Sequence, residues 1–422
     1  MGRALRLLAL VLAGFGPFVV AELVLRALDV PRPEGPYLAG FDPAEPVLQR
    51  EGDQVVVTPA RRSTWRARPF PAEPQAATLR LFAVGDSITW GHRGNEFPDP
   101  MPAWPDVLEH LLRERRPPGA HVVVNLGART FGSGRVAGVV RQALEWHPDA
   151  VLVNVGTSEH LERDLRAELD RRRERPRWLA EARVAWALES WLVPDTGGLT
   201  LAQLRERDGA LRASFVRPAS RLGGDEPRRA GLARSEQNLS AIVEACRARG
   251  VPLALATVPA NLRFPPFATR FEPPEAREAG EALVTTAGEL LAHDRAAEAL
   301  ALVAPEALRH PEAAGLHYRE AQARDRLGDV AGARAAYERA LETDDCPARG
   351  TAAYNALVRR LATSTPGVWL VDQERLFRDA VPDSIPDDRL FLDNCHPTPD
   401  MQARMADEWY RVLEEAGLLN AR

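Results

Sequence analysis

Short apolar strands alternating with helical stretches predict an α/β protein, a parallel sheet covered by helices, with an α-helical repeat hairpin region inserted. Three observations carry this. The runs Leu79–Val84, Val122–Asn125, Ala150–Val155, Pro252–Val258 and Val368–Val371 are apolar on both faces, as buried parallel strands are. Helical patterns separate them, over Trp104–Leu112, Gly134–Glu145 and Ser235–Arg249. Two longer stretches break the alternation, and one of them repeats.

The chain begins with Arg3 and Arg6 ahead of an apolar run from Leu7 to Leu25, interrupted by Pro17 and Glu22. That length suits a bilayer-spanning helix, and the leading arginines predict a cytoplasmic N-terminus and an exported remainder. No small-x-small cleavage site follows, so residues 1–30 read as an uncleaved membrane anchor, the alternative being an amphipathic helix packed on the domain. Residues 31–78, rich in Pro, Arg and Glu, read as a spacer with one strand near Gln54–Thr58. The α/β domain occupies 79–270, with a charged helical insertion over about 161–225. In that insertion Trp178, Trp186 and Trp191 stand at near-helical spacing and are expected to pack it onto the core. Residues 348–422 complete the domain.

Between these parts lies the repeat. DVAGARAAYERAL (329–341) places Ala333, Tyr337 and Ala340 where two antiparallel helices can approach closely, and Ala299 stands one 34-residue period upstream. Units over 280–313 and 314–347 resemble the tetratricopeptide repeat. Two units are few for independent stability, so they are expected to lean on the α/β domain. Such repeats offer a surface to a protein partner.

Composition excludes some classes. The chain holds no lysine, all 54 basic residues being arginine, and its formal net charge is −5. An overall negative charge gives no general attraction to phosphate, so no nucleic-acid role is read. Three cysteines, Cys246, Cys346 and Cys395, lack C-x-x-C spacing and suggest neither a disulfide framework nor a zinc site.

The chemistry is carried by residues far apart in the chain. LRLFAVGDSITWG puts Ser87 at the carboxyl end of the first strong strand, where open α/β sheets bind ligands. A serine hydroxyl needs an adjacent base to act as a nucleophile. LFLDNCHPTPD supplies Asp393 and His396, three apart, so that one carboxylate can orient the imidazole toward the serine. Taken singly, G-D-S is more often a plain turn or helix N-cap, and Asp-x-x-His also reads as a capping Asp beside a surface His. Two further strand-end loops, VVVNLGARTFGSGR and VLVNVGTSEHLE, can reach the same crevice and furnish oxyanion donors.

In this order the motifs resemble those of the SGNH/GDSL hydrolase superfamily, over about 79–270 and 348–422. ATVPANLRFPPF (256–267) is similar to a loop of bacterial members with inserted tetratricopeptide-like repeats. The resemblance implies a flavodoxin-like three-layer sandwich, no metal or other cofactor, and hydrolysis of a carboxylic ester. It implies Ser87 as nucleophile and first oxyanion donor, His396 as base and Asp393 as orienter. Two departures stand out. Ser158 occupies the place of the family's oxyanion asparagine, leaving Ser158, Asn154 or Thr157 as its substitute. The glycine of the second block falls on Gly127, Gly132 or, through its backbone N–H, Thr130. The expected function is a membrane-anchored esterase facing the periplasm or cell exterior, acting through an acyl-Ser87 intermediate on a small-molecule, lipid or envelope-glycan ester. The alternatives are a repeat scaffold with a weak or inactive hydrolase domain, and an O-acyltransferase.

Overall fold

A computed structural model describes residues 16–28, 46–59, 65–75, 78–91, 103–117, 121–160, 162, 182–184 and 221–419. Eight strands are numbered in chain order. Strands β4 (Leu79–Gly85), β5 (His121–Gly127), β6 (Ala150–Asn154), β7 (Leu253–Ala256) and β8 (Val368–Val371) form one sheet in the order β5-β4-β6-β7-β8. Every pairing in it is parallel. The flavodoxin-like order follows: the chain reverses direction at β4, so a crevice opens between the carboxyl ends of β4 and β6. Strands β4 and β6 are buried at every position, which is why they read as apolar runs interrupted only by Arg80 and Asn154.

Right-handed crossovers from β4 then put the covering helices on opposite faces. Helix α2 (Trp104–Arg115) packs with the last helix, Pro399–Glu415, through stacked Trp104 and Trp409 rings 4.6 Å apart. Helix α3 (Ser133–Ala143) packs against α4 (Asp225–Ala248), which buries Leu239, Ile242, Val243 and Cys246.

Four helices follow β7: α5 (Arg277–Ala292), α6 (Ala296–Arg309), α7 (Ala314–Arg326) and α8 (Val330–Thr343), successive ones packing together. They form two helical hairpins with apolar clusters separate from the sheet core. Ala333, Tyr337 and Ala340 are buried between α7, α8 and the body, sharing their cluster with Ala260, Leu262 and Ile385. Arg263 bolts this contact, bonding Asp325 of α7 as well as Asp383 and Asp387 of the body. Helix α9 (Ala352–Ser364) leads to β8, and α10 (Gln373–Asp379) follows it.

The strand expected near Gln54–Thr58 is β2 (Gln54–Val57); where the reading of 31–78 as a spacer had that one strand, it is joined by β1 (Leu48–Glu51) and β3 (Phe70–Pro71) in an antiparallel sheet. Val47, Val55, Trp65 and Phe70 join the main core, and Phe70 meets Phe82 edge-on. Isolated apolar residues among Pro and Arg gave too short a pattern to show this.

The helical insertion lies mostly outside the described residues, as do Trp178, Trp186 and Trp191. So do residues 1–15 of the expected anchor. The described residues of the expected anchor form a helix over 16–27 with exposed Phe18, Val19, Val20, Leu23 and Val24. Among the described residues no helix is long and apolar enough to cross a membrane.

Candidate active site

The site grows from the carboxyl end of β4. A side chain at Gly85 would run into the Asn154 carbonyl, so only glycine lets β4 and β6 stay in register there. Asp86 then caps a short helix, α1 (Ser87–Trp90), accepting from the Ile88 N–H at 3.0 Å. Its other oxygen accepts from the Thr157 hydroxyl at 2.8 Å and from the N–H groups of Gly156 and Thr157 at 3.3 and 3.2 Å. Burial pushes the Asp86 carboxyl up, and Thr157 and the backbone donors oppose this. Asp86 therefore locks the loop bearing Ser87 to the loop bearing Ser158.

Ser87, partly exposed at the first position of α1, lies 2.8 Å from His396 Nε2. His396 Nδ1 lies 2.6 Å from Asp393 Oδ2. The other Asp393 oxygen accepts from the N–H groups of Cys395 and His396, at 2.9 and 2.8 Å, and shapes the turn. Partial burial raises the Asp393 carboxyl, but the imidazole and the two N–H donors overcome it and hold the group at about 2. Burial lowers the His396 imidazole, and the Asp393 charge outweighs it, leaving it well above its usual value.

The structure thus brings Ser87, His396 and Asp393 into one hydrogen-bonded line and sorts the remaining candidates. Gly127 donates its N–H to Asn125 Oδ1 at 2.9 Å. Its missing side chain makes room for the backbone of Thr89 and Trp90, so it supports α1 from below. Gly132 donates to Glu162 at 3.1 Å. Asn154 bonds Gln373, and Thr157 is committed to Asp86. Thr130 sits in the left-handed region with φ 61°, unusual for a β-branched residue. Its carbonyl accepts from Arg135, which is paired with Glu162, and its N–H makes no hydrogen bond among the described residues. Ser158 is buried with its hydroxyl 3.4 Å from that of Thr157.

Glu159, the acid of the third loop, turns away to cap α3, accepting from the N–H and hydroxyl of Ser133 and from Ser235. Burial and the nearby Glu162 push its carboxyl up to about 7. Sequence reasoning missed Tyr354, whose ring occupies the space beside Gly156. Its buried hydroxyl has no hydrogen-bond partner among the described residues. It also missed Asp86 as a lock; an acid before a serine reads only as a cap. Asp393, Cys395 and His396 form the one group of possible metal donors among the described residues. There the Asp393–His396 bond already engages two of the donor atoms, and burial raises the Cys395 thiol.

A parallel sheet with a serine, histidine and aspartate aligned at its carboxyl edge is an architecture suited to ester hydrolysis. The sequence model of the GDSL-like lipase/acylhydrolase family matches residues 83–324, and the chain belongs to that family, whose members hydrolyse esters. The match includes Ser87 and ends before Asp393 and His396. Among solved structures, the chain is similar to the acetyl xylan esterase AlAXEase, with 11% identity, 79% of this chain and 98% of that one covered, and TM-score 0.35. A GDSL-like lipase from Bacteroides thetaiotaomicron shows 11% identity, coverage of 82% and 92%, and TM-score 0.37. The SGNH-hydrolase family esterase AlinE4 shows 15% identity, coverage of 44% and 62%, and TM-score 0.24. Among curated proteins nothing matches.

Proposed function

We propose that the chain is a membrane-anchored, extracytoplasmic serine esterase in which Ser87 is the nucleophile, His396 the general base and Asp393 its orienter. The observation that carries this is the line Ser87 Oγ–His396 Nε2–Asp393, with both steps at hydrogen-bond length. Neutral His396 takes the serine proton as Oγ attacks the ester carbonyl, then gives it to the leaving alcohol. Water, activated by the same imidazole, releases the acid from the acyl-Ser87 ester. Developing negative charge on the carbonyl oxygen is met by the N–H of Ser87, by the N–H of Thr130, which makes no hydrogen bond among the described residues, and by the Ser158 hydroxyl, 3.4 Å from that of Thr157.

The leading arginines and apolar N-terminal run support the anchor and the export; the anchor in turn favours a surface substrate, a lipid ester or an O-acyl group on an envelope glycan. The two helical hairpins, read as tetratricopeptide-like repeats, supply the face for a protein partner.

The test is labelling with a fluorophosphonate probe beside hydrolysis of p-nitrophenyl acetate. Label is expected on Ser87, and Ser87→Ala is expected to lose both label and at least about 10⁴-fold of the rate. A Ser87→Ala chain as fast as the parent sinks the assignment.

A further inference from the structure

The turn that carries Asp393 and His396 is gripped from outside by one side chain. Asn261, in the loop after β7, is fully buried at 0% exposed. Its side-chain N–H₂ donates to the Asp393 carbonyl at 3.0 Å and to Asp388 Oδ1 at 2.7 Å. Its backbone N–H donates to the Asn394 carbonyl at 3.2 Å. Two successive carbonyls of the turn are thereby fixed by one residue. Asn261 is itself immobilised: Oδ1 accepts from the Phe264 N–H at 3.0 Å, and its carbonyl accepts from Arg349 at 2.9 Å.

Arg349 is as deeply buried and carries the grip onward. It also donates to the Phe264 carbonyl at 2.8 Å and pairs with Asp344, just past the end of α8, at 3.2 Å. Asp344 in turn caps the N–H groups of Phe267 and Ala268 at 2.9 and 3.0 Å. A continuous polar chain thus runs from the foot of the helical hairpins to the peptide between Asp393 and Asn394.

We propose that Asn261 is a positioning residue for ester hydrolysis, holding the Asp393–His396 turn at its distance from Ser87, with the Arg349–Asp344 pair at the foot of the hairpins as its anchor. The inference rests on the esterase reading of the same site. Its physical basis is steep: a base displaced by about 1 Å can cost about 10²-fold in rate, while substrate binding elsewhere is untouched. An amide is suited to the task, offering two donors and an acceptor on one rigid plane.

The experiment compares the full chain with Asn261→Ala and with the pair Asn261→Asp/Asp388→Asn. The pair rebuilds a hydrogen bond between 261 and 388 but turns a carboxylate toward the Asp393 carbonyl. For Asn261→Ala, kcat on p-nitrophenyl acetate is expected to fall about 10²-fold with KM within about 2-fold. The acid limb of its kcat/KM profile is expected to move to lower pH, since a loosened Asp393 raises the imidazole less. The paired variant is expected to melt closer to the parent than Asn261→Ala does, while its kcat stays low. A purely structural role predicts that rate and stability return together, and that result overturns the proposal. So do a kcat for Asn261→Ala within about 3-fold of the parent, or failure of both variants to fold, which would make Asn261 a folding residue. A parent that neither labels nor hydrolyses overturns the esterase reading and this inference with it. A parent that hydrolyses and an Asn261→Ala chain that matches it overturn this inference alone.

Discussion

The two sides of Ser87 are built differently. On one side, the proposed base arises from four consecutive residues, 393–396, whose acid both shapes the turn and bonds the ring. On the other, the donors that would receive the oxyanion come from loops after β5 and β6, joined by long-range struts: Asp86 to Thr157, Arg135 to Glu162, Ser133 to Glu159. The base side has every carboxylate oxygen engaged, whereas the acceptor side offers a serine hydroxyl that reaches less far than a carboxamide. The difference teaches that the Ser87–His396–Asp393 line and the loops proposed to meet the oxyanion are separate constructions here.

The largest effect that separates the two sides is expected from Asp393→Asn. Its oxygen would stay with the N–H groups of Cys395 and His396, leaving the amide to donate to His396 Nδ1. The ring would then carry its proton on Nε2, facing Ser87, and could not accept the serine proton. A loss of about 10⁴-fold in kcat is expected, with little change in the melting temperature. An equally active Asn variant would mean that the acid does not set the tautomer. The base side also fixes the pH dependence. His396 must be neutral to act, and its raised pKa keeps it protonated further up the scale than a free imidazole. Activity should therefore climb with pH along a limb above about 6.5, measurable as log kcat/KM against pH. A limb below that value would show that Asp393 does not hold the ring as the geometry indicates.

On the acceptor side the effects are smaller and can run in both directions. Restoring the carboxamide with Ser158→Asn is expected to raise kcat about 10-fold, and Ser158→Ala to lower it by a similar factor, below the cost of losing a strong oxyanion donor. No change in either variant would place the oxyanion on backbone donors alone.

The same contrast governs what the sequence revealed. The parallel sheet was legible because β4 and β6 are buried on both faces and show it residue by residue. Ser87 and the Asp393–His396 pair were legible because each motif is local. The struts were not. Asn261 reads as a loop residue among prolines, and its partners Asp388, Asp393 and Arg349 lie 88 to 132 positions away. Likewise the loop VLVNVGTSEHLE was expected in the crevice, and only the fold shows its Glu159 turned to cap α3. Of the small sheet only β2 was read; β1 and β3 escaped because they are 4 and 2 residues long, too short for a period to show.

Thr130 gives the mildest and most discriminating test of the acceptor side. A β-branched residue at φ 61° is strained, and the strain is held by Arg135 on the Thr130 carbonyl. That hold fixes the plane of the peptide that follows Thr130 and keeps the residue left-handed, while its N–H makes no hydrogen bond among the described residues. If the contribution of Thr130 is its backbone N–H, the side chain is dispensable. Thr130→Gly should then keep kcat within about 2-fold and raise stability by up to about 1 kcal/mol, because glycine adopts this conformation without steric cost but loses more entropy on folding. Melting curves beside kcat decide it. A stable glycine variant with a kcat at least about 10-fold lower would show that the threonine side chain, rather than its N–H, serves the oxyanion.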